Sequence, residues 1–269
     1  NYFNYVINFI MYIHNLNPII FDFGILSLRW YSLAYLVGII FGWWYGKKVI
    51  LLINEKQSKK FQLNLFDDYI TYVIISLIIG GRLGYVLFYN FNYFIFHPIE
   101  ILFIWNGGMS FHGGLLGIII ATVIFSKKHE FDKLVLLDVV SCVAPVGIFF
   151  GRLANFVNGE LYGKPTDLPW AVVFPMVDSQ GRHPSQIYEA LLEGALLFLI
   201  LNFFIRKMSY KKGKSAALFL LVYSFLRVFS EFFREPDLQI GYILNYFSMG
   251  SLLSFFMFGL GIIMFFKIK

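Results

Sequence analysis

Four arginines lie inside or at the end of strongly apolar stretches of the sequence: Arg82, Arg152, Arg227 and Arg234. An arginine near the centre of a membrane helix costs about 2.5 to 3.5 kcal/mol on insertion scales, so such residues normally face a polar interior and mark function. Because the planar guanidinium group matches the geometry of phosphate oxygens, a group of arginines favours an anionic ligand.

One apolar segment shows this pattern most clearly, because Tyr223, Arg227, Glu231 and Arg234 are spaced i, i+4, i+8 and i+11 and share one helix face. Glu231 can pair with either arginine. The alternative is that such an ion pair only holds neighbouring helices together. The arginine that is left over suggests an anionic ligand.

His112 lies in the segment Met109–Gly114, between Phe111 and two glycines. Glycine permits close helix contact or an unwound segment, so this histidine can approach backbone or ligand. We favour proton transfer or phosphate contact as its role, and the alternative is a core histidine satisfied by a carbonyl group.

The elements that must position these residues are membrane helices. The chain has 269 residues, of which 58% are hydrophobic and only 14% charged, and its mean hydropathy is strongly positive. A spanning helix needs about 20 mostly apolar residues, which predicts an all-α polytopic protein with about seven spans in a single domain, 1–269. The expected spans are 26–46, 69–89, 105–125, 134–154 (which Pro145 and Gly147 would kink), 186–205, 215–234 and 248–266.

The distribution of lysine and arginine predicts the orientation of these spans. Fifteen of them fall in segments on one side: Lys47, Lys48, Lys56, Lys59, Lys60, Lys127, Lys128, Lys133, Arg206, Lys207, Lys211, Lys212, Lys214, Lys267 and Lys269. The other side holds only Arg29, Lys164 and Arg182. The positive-inside rule therefore places the N-terminus outside, the C-terminus in the cytoplasm, and 155–185 as an outer loop or small irregular periplasmic cap.

The same distribution explains the net charge of +6. Short basic loops face anionic lipid headgroups, so membrane lipids are expected partners and nucleic acid is not. The first residues carry no basic segment followed by an apolar core and a cleavage site, so we expect no removable signal peptide and expect the first span to direct insertion.

With this orientation, Arg82, His112 and Arg227 each lie seven residues from the outer end of a span, roughly 10 Å below the outer boundary at about 1.5 Å per residue. Polar groups from five helices thus converge in the outer half of the bilayer. The alternative for an arginine at a helix end is that its side chain snorkels to the interface. Three residues lie near outer ends: Arg152, Arg234 and Glu189.

After the fourth span, residues 151–163 read Gly-Arg-Leu-Ala-Asn-Phe-Val-Asn-Gly-Glu-Leu-Tyr-Gly. This block closely resembles the signature of the prolipoprotein diacylglyceryl transferase family, with Arg, two Asn and Glu at fixed spacing between glycines. The resemblance extends from about Asp22 to Phe266. Further blocks are similar and follow the family order: Leu28–Tyr31, Gly80–Tyr85, Phe111–Gly114, Arg182–Glu189, Arg227–Pro236 and Ser248–Gly250.

The resemblance implies a transferase that moves the diacylglyceryl group of phosphatidylglycerol to the thiol of a lipobox cysteine in a prolipoprotein. A thioether forms and glycerol 1-phosphate leaves, which is the first step of bacterial lipoprotein maturation. The implied partners are phosphatidylglycerol and the prolipoprotein with its signal peptide. The implied location is the bacterial cytoplasmic (inner) membrane, with the active site towards the outer leaflet.

The residues fit this chemistry, and our hypothesis assigns roles to single residues. Arg152 and Arg227, helped by Arg82 or Arg234, would hold the phosphodiester and stabilise its developing charge. The proton of the cysteine thiol, whose ordinary pKa is about 8.5, needs an acceptor. His112 is the first candidate, and Glu160 and Glu231 are alternatives. Four residues would complete the headgroup site: Tyr31, Asn155, Tyr223 and Glu189.

Other chemistries have less support in the sequence. It has no glycine-rich nucleotide loop, metal-ligand cluster or serine nucleophile elbow, so we expect no cofactor and no metal. The lone Cys142 lies in an apolar run, which is typical of an inert buried thiol. A transporter or channel would be the main alternative without the signature block. Transporters favour midplane sites and internal repeats, whereas here the charges gather near the outer surface and the sequence shows no repeat. A non-catalytic assembly protein is a further alternative.

Overall fold

The computed structural model describes residues 11–22, 27–104, 107–236 and 248–268. These residues are mostly helical. A 3-10 turn, Pro98–Leu102, follows the third helix, and a π-helical turn, Ala190–Leu196, joins the sixth helix to the seventh. In chain order the helices are α1 (Trp30–Glu55), α2 (Leu63–Phe88), α3 (Phe91–Phe96), α4 (Phe111–Lys128), α5 (Lys133–Asn158), α6 (Ser185–Glu189), α7 (Leu197–Lys207), α8 (Lys214–Glu231) and α9 (Met249–Lys267).

Short strands form two small sheets. The strands are β1 (Tyr12–Ile13), β2 (Ile19–Asp22), β3 (Ser27–Arg29), β4 (Val172–Val173) and β5 (Gly181–Arg182). β4 pairs in parallel with β1 and antiparallel with β5, and β2 pairs antiparallel with β3. The segment between α5 and α6, expected to be irregular, therefore contains two paired strands. The first span was expected from residue 26, but α1 begins at Trp30 because β3 occupies the preceding residues.

Among the described residues, five helical segments are long and apolar enough to cross a membrane: Trp30–Glu55, Leu63–Phe88, Lys133–Asn158, Ser185–Lys207 and Gly250–Lys267. This confirms a mostly helical chain with several apolar helices. α4 and α8, with 18 residues each, overlap the third and sixth expected spans. α4 begins at Phe111, six residues later than expected, so His112 lies in its first turn and not seven residues inside the helix. α5 runs through Pro145 without a break, because neighbouring helices can compensate for the backbone hydrogen bond that a proline removes.

Glycines set the close contact between α2 and α4. A Cβ on Gly113 would lie 2.9 Å from the Cα of Gly84, and a Cβ on Gly117 would lie 3.3 Å from the Cα of Gly80. Only glycine leaves room for backbones at this separation, as in other membrane helix pairs. The contact fixes the start of α4, which carries His112, against α2.

The two ends of the helices differ in character. Buried apolar side chains such as Ile50, Phe66, Leu136 and Leu201 form a core near the ends of α1 and α7 and the starts of α2 and α5. The lysine-rich segments of the sequence adjoin these same helix ends. The site residues predicted from the sequence occupy the opposite ends.

Asp138 joins the two helices that carry Arg152 and Arg227. Its carboxylate, on α5, accepts hydrogen bonds from the backbone N–H groups of Gly213 at 2.7 Å and Ala216 at 2.9 Å. These N–H groups at the start of α8 have no partner within the helix, so the carboxylate satisfies them from outside. The register of α8 against α5 is thereby fixed.

Candidate functional site

Three arginines and three glutamates form a buried cluster at the ends of the helices opposite the lysine-rich segments. Arg152 comes from α5 and Arg227 from α8, and Arg234 follows the end of α8. The glutamates come from the end of α6, the π-helical turn and the end of α8, respectively: Glu189, Glu193 and Glu231.

Glu189 lies among all three arginines and its side chain is fully buried. Its Oε2 is 2.9 Å from Nη1 of Arg152. Its Oε1 accepts a hydrogen bond from Nη1 of Arg227 at 2.7 Å and lies 3.6 Å from Nη1 of Arg234. A single carboxylate thus links cations from α5, α8 and the segment after α8.

Glu193 contacts two of the same arginines and is also fully buried. Nη2 of Arg152 donates to its Oε2 at 3.2 Å, and Nη1 of Arg227 lies 3.4 Å from its Oε1. The hydroxyl of Ser230 donates to Oε1 at 2.9 Å. The sequence prediction did not include Glu193, although an acidic residue inside an apolar span is the same kind of signal that identified the arginines.

Glu231 pairs with Arg227, its Oε2 lying 2.6 Å from Nη2 of that arginine. The expectation from the sequence that one arginine is left over was therefore incomplete. With Glu193 included, the cluster contains three arginines and three glutamates, so its side-chain charges balance. The start of α9 packs against this pair. A Cβ on Gly250 would lie 3.0 Å from Nη2 of Arg227 and 3.3 Å from Oε2 of Glu231.

A second polar group, formed by Tyr31, Asn155 and Glu160, lies beside Arg152. The side-chain amide of Asn155 donates to the hydroxyl of Tyr31 at 3.0 Å and to Oε2 of Glu160 at 3.4 Å. Both Arg152 and Glu160 are close enough to act electrostatically on Tyr31. Tyr31 stands at the start of α1, so this group brings α1 to the same end of the bundle.

The loop Gly159–Gly163 positions Glu160. Gly159 ends α5 in the left-handed conformation (φ 67°), and Leu161 adopts φ 55°, which is unusual for a residue with a side chain. The start of α6 holds this loop in place. Gln186 donates through Nε2 to the carbonyl of Glu160 at 2.6 Å, and Ser185 donates to the carbonyl of Leu161 at 2.8 Å.

His112 and Tyr223 lie next to the arginine–glutamate cluster. His112 is in the first turn of α4, which Ser110 caps by accepting a hydrogen bond from the N–H of Gly113. Arg227 is close enough to His112 for the two to interact electrostatically. Tyr223, one turn before Arg227 on α8, is buried among the same charged groups.

Arg82 is in a different environment. Within the described ranges its side chain donates to backbone carbonyl groups of the connection between α3 and α4, and no ion pair there joins it to the cluster. The acceptors are Glu100 at 2.7 Å, Ile101 at 2.9 Å, Phe103 at 3.4 Å, Gly107 at 2.5 Å and Gly108 at 3.1 Å. The structure thus brings together the other predicted charged residues and leaves Arg82 apart.

The segment between α5 and α6 is bound to the end of α8. Lys164 donates its backbone N–H to the carbonyl of Phe233 at 2.9 Å. Arg182 donates to the carbonyl of Gly163 at 3.1 Å and pairs with Asp178 at 2.5 Å. The Arg182 guanidinium group lowers the pKa of Asp178 below its ordinary value through this hydrogen-bonded ion pair.

Comparison with known proteins identifies the family. The model of the prolipoprotein diacylglyceryl transferase family matches residues 18–267. The chain belongs to this family. The phosphatidylglycerol–prolipoprotein diacylglyceryl transferase of Rickettsia bellii (strain OSU 85-389) is 50% identical over 255 residues, covering 94% of this chain and 95% of the relative. The protein of the same name from Ehrlichia canis (strain Jake) is 48% identical over 250 residues, covering 91% of this chain and 94% of the relative.

The family match covers every residue that the sequence analysis selected, from Tyr31 to Arg234. Membership of the family makes this chain a transferase. Together with the five apolar helical segments, it also makes the chain a multi-pass membrane protein.

Proposed function

We propose that the protein transfers the diacylglyceryl group of phosphatidylglycerol to the lipobox cysteine of a prolipoprotein. The relatives that cover nine-tenths or more of the chain carry this substrate and acceptor in their names. The observation that carries the proposal is the arginine–glutamate cluster, in which Arg152 and Arg227 meet at one end of the helices. A phosphodiester is the anion that this pair fits best.

The burial of the cluster indicates the direction from which the headgroup approaches. The side chains of Glu189 and Glu193 are fully buried, whereas 17% of Arg152 is exposed. The two carboxylates therefore lie behind the arginines and hold them in place. An arginine has five N–H groups, so Arg152 and Arg227 can contact phosphate oxygens while they remain bound to the carboxylates.

The reaction is a displacement at a glycerol carbon. The cysteine sulfur forms a bond to this carbon, the carbon–oxygen bond to phosphate breaks, and glycerol 1-phosphate leaves with the electron pair. Arg152 and Arg227 stabilise the negative charge that develops on the phosphate. The carboxylates behind them already hold both guanidinium groups in position before the reaction begins. His112 accepts the thiol proton in this proposal, and Glu160 and Glu231 are the alternatives.

The remaining residues shape the headgroup site. Tyr31 and Asn155 supply hydrogen bonds to the glycerol headgroup, while Arg234 and Tyr223 complete the charged surface around Glu189. Because carbonyl groups already occupy the N–H donors of Arg82, we propose that Arg82 acts indirectly, by holding the connection that precedes α4. We propose that an acyl chain packs against the apolar face of α1 that carries Val37, Ile40, Phe41 and Trp44.

We further propose seven spans in a single domain, 1–269, with α4 and α8 as the third and sixth. The lysine-rich segments lie at the ends of the helices opposite the cluster. The positive-inside rule then puts the cluster towards the outer leaflet of the bacterial cytoplasmic membrane, with the segment 155–185 as a periplasmic cap. Phosphatidylglycerol enters sideways from the bilayer, and the precursor, inserted through its signal peptide, presents its cysteine at the same depth.

The proposal is tested with the purified protein, phosphatidylglycerol and a synthetic peptide that contains a lipobox cysteine. We expect the peptide to gain the mass of one diacylglyceryl group and glycerol 1-phosphate to be released in equal amount. A peptide with Cys→Ser should gain nothing. Absence of both products, under conditions where the Rickettsia bellii relative produces them, would refute the proposed function.

A further inference from the structure

Glu193 is the one member of the arginine–glutamate cluster that the sequence prediction did not include. Its carboxylate touches Arg152 through one oxygen and Arg227 through the other. Each of these arginines comes from a different helix, α5 or α8, and Glu193 stands on the π-helical turn between them. Glu193 therefore bridges the two guanidinium groups that the proposed reaction requires.

The surroundings of Glu193 fix its own position. Ser230 donates to the oxygen that faces Arg227, at 2.9 Å. Gly194, the next residue, lets α5 approach closely, because a Cβ there would lie 2.8 Å from the Cα of Phe149. The carboxylate is fully buried, so water does not compete for its hydrogen bonds. π-helical turns of this kind occur frequently at functional sites.

We infer that Glu193 is a positioning residue for the transfer reaction, which sets the relative placement of the Arg152 and Arg227 guanidinium groups. The inference rests on the proposed function and deepens it. Glu189, on α6, and Glu193 hold the Arg152 guanidinium group at two points, Nη1 and Nη2 respectively. Both carboxylates also contact Nη1 of Arg227, whose Nη2 is held by Glu231. Two points of attachment fix the orientation of a planar group, whereas a single point leaves it free to rotate.

A positioning role and a role in charge balance predict different kinetics for a variant of Glu193. Glu193→Gln keeps the size of the side chain and removes one negative charge, which leaves the cluster with an excess positive charge. An anionic phosphodiester should then bind at least as well as before. The guanidinium groups lose their fixed spacing, and a displacement of about 1 Å can cost roughly 100-fold in rate. We therefore expect kcat to fall about 10- to 100-fold while KM for phosphatidylglycerol does not rise.

The experiment compares the kinetics of four detergent-solubilised proteins with phosphatidylglycerol and the lipobox peptide, each normalised to folded protein by size-exclusion chromatography. They are the unmodified protein, Glu193→Gln, Ser230→Ala and Glu235→Gln. Ser230→Ala keeps the Glu193 carboxylate but removes its hydrogen bond from the Ser230 hydroxyl, together with the contacts of that hydroxyl with the carbonyl and Nη1 of Arg227; it should give a smaller fall in kcat. Glu235→Gln is the matched control, because Glu235 also pairs with an arginine, Arg182 at 3.4 Å, outside the cluster; its kinetics should be unchanged.

A double variant separates positioning from general stability. If Glu193 acts through Arg152, then Glu193→Gln combined with Arg152→Lys should be little slower than Arg152→Lys alone, since the interaction is already broken. If the double variant lowers kcat by the product of the factors found for the two single variants, the inference is overturned. A kcat for Glu193→Gln within twofold of the unmodified protein would also overturn it. If this variant does not fold, an unchanged kcat in Ser230→Ala has the same meaning.

The outcome is independent of the test of the proposed function. If the unmodified protein forms no diacylglyceryl peptide, the proposed function fails before any variant is compared. If it forms this product and Glu193→Gln is equally fast, only the inference about Glu193 fails.

Discussion

Replacing Arg227 with lysine tests whether the shape of the guanidinium group matters beyond its charge. Arg227 reaches Glu189 at 2.7 Å through Nη1 and Glu231 at 2.6 Å through Nη2. A lysine keeps the positive charge, but its single ammonium group cannot occupy both positions and cannot bind a phosphate in the paired geometry. The variant therefore separates charge from geometry in the proposed site.

The size of the effect follows from the number of contacts that depend on the planar group. Removing one well-placed donor from a site that stabilises developing negative charge costs about 2.7 to 4 kcal/mol, which is roughly 100- to 1,000-fold in kcat. Arg227→Lys should lie in this range. KM for phosphatidylglycerol should change much less, because the charge that attracts the phosphodiester is retained.

The assay follows the mass of the lipobox peptide and the release of glycerol 1-phosphate over time at several concentrations of phosphatidylglycerol. Arg206→Lys is the matched control. Arg206 lies at the lysine-rich end of α7, opposite the end of the helices that carries the site, and donates to the hydroxyl of Tyr45 at 2.9 Å. If Arg227→Lys is as fast as this control, the assignment of Arg227 to transition-state stabilisation is wrong.

Three further predictions follow from particular contacts. Arg82→Lys should lower kcat and increase hydrogen exchange in residues 98–104, measured by mass spectrometry, because an ammonium group cannot satisfy five carbonyl groups; unchanged exchange would contradict this role. Gly250→Ala should lower activity by crowding Arg227, whereas Gly259→Ala in the same helix, where a Cβ has nothing within 4 Å, should not; equal activities would contradict the packing argument. Because Arg182 lowers the pKa of Asp178, their ion pair stabilises the fold above the unfolded pKa of about 3.9 and is lost as pH falls through the lowered pKa. Asp178→Asn should therefore flatten the dependence of the unfolding temperature on pH below about 5, and an unaltered dependence would exclude this contribution.

The sequence was sufficient to predict the helical membrane class and the convergence of Arg152, Arg227, Arg234 and Glu189. Apolar length and the rarity of arginine in spans are strong signals, since both follow from the cost of burying polar groups in lipid. The helix ends were less predictable. β3, for example, displaces the start of α1, and strands of two or three residues leave no periodic pattern in a sequence.

The environment of Arg82 could not be predicted from its depth. Its position along α2 matches that of Arg227 along α8, but the carbonyl groups that surround it belong to a connection whose path depends on Gly107 and Gly108, both with φ above 80°. Glu193 is the opposite case. The rule that selected the arginines would have selected it too, and its omission left the charge balance of the cluster incomplete.

The central claim is that Arg152, held by Glu189 and Glu193, stabilises the phosphate as it leaves. The most direct measurement is a single-turnover reaction of the unmodified protein and of Arg152→Ala with phosphatidylglycerol and the lipobox peptide, with membrane insertion of both proteins verified. The account predicts that the unmodified protein forms the thioether and glycerol 1-phosphate together and that Arg152→Ala inserts but forms neither. Thioether formation by Arg152→Ala at a rate comparable to the unmodified protein would contradict it.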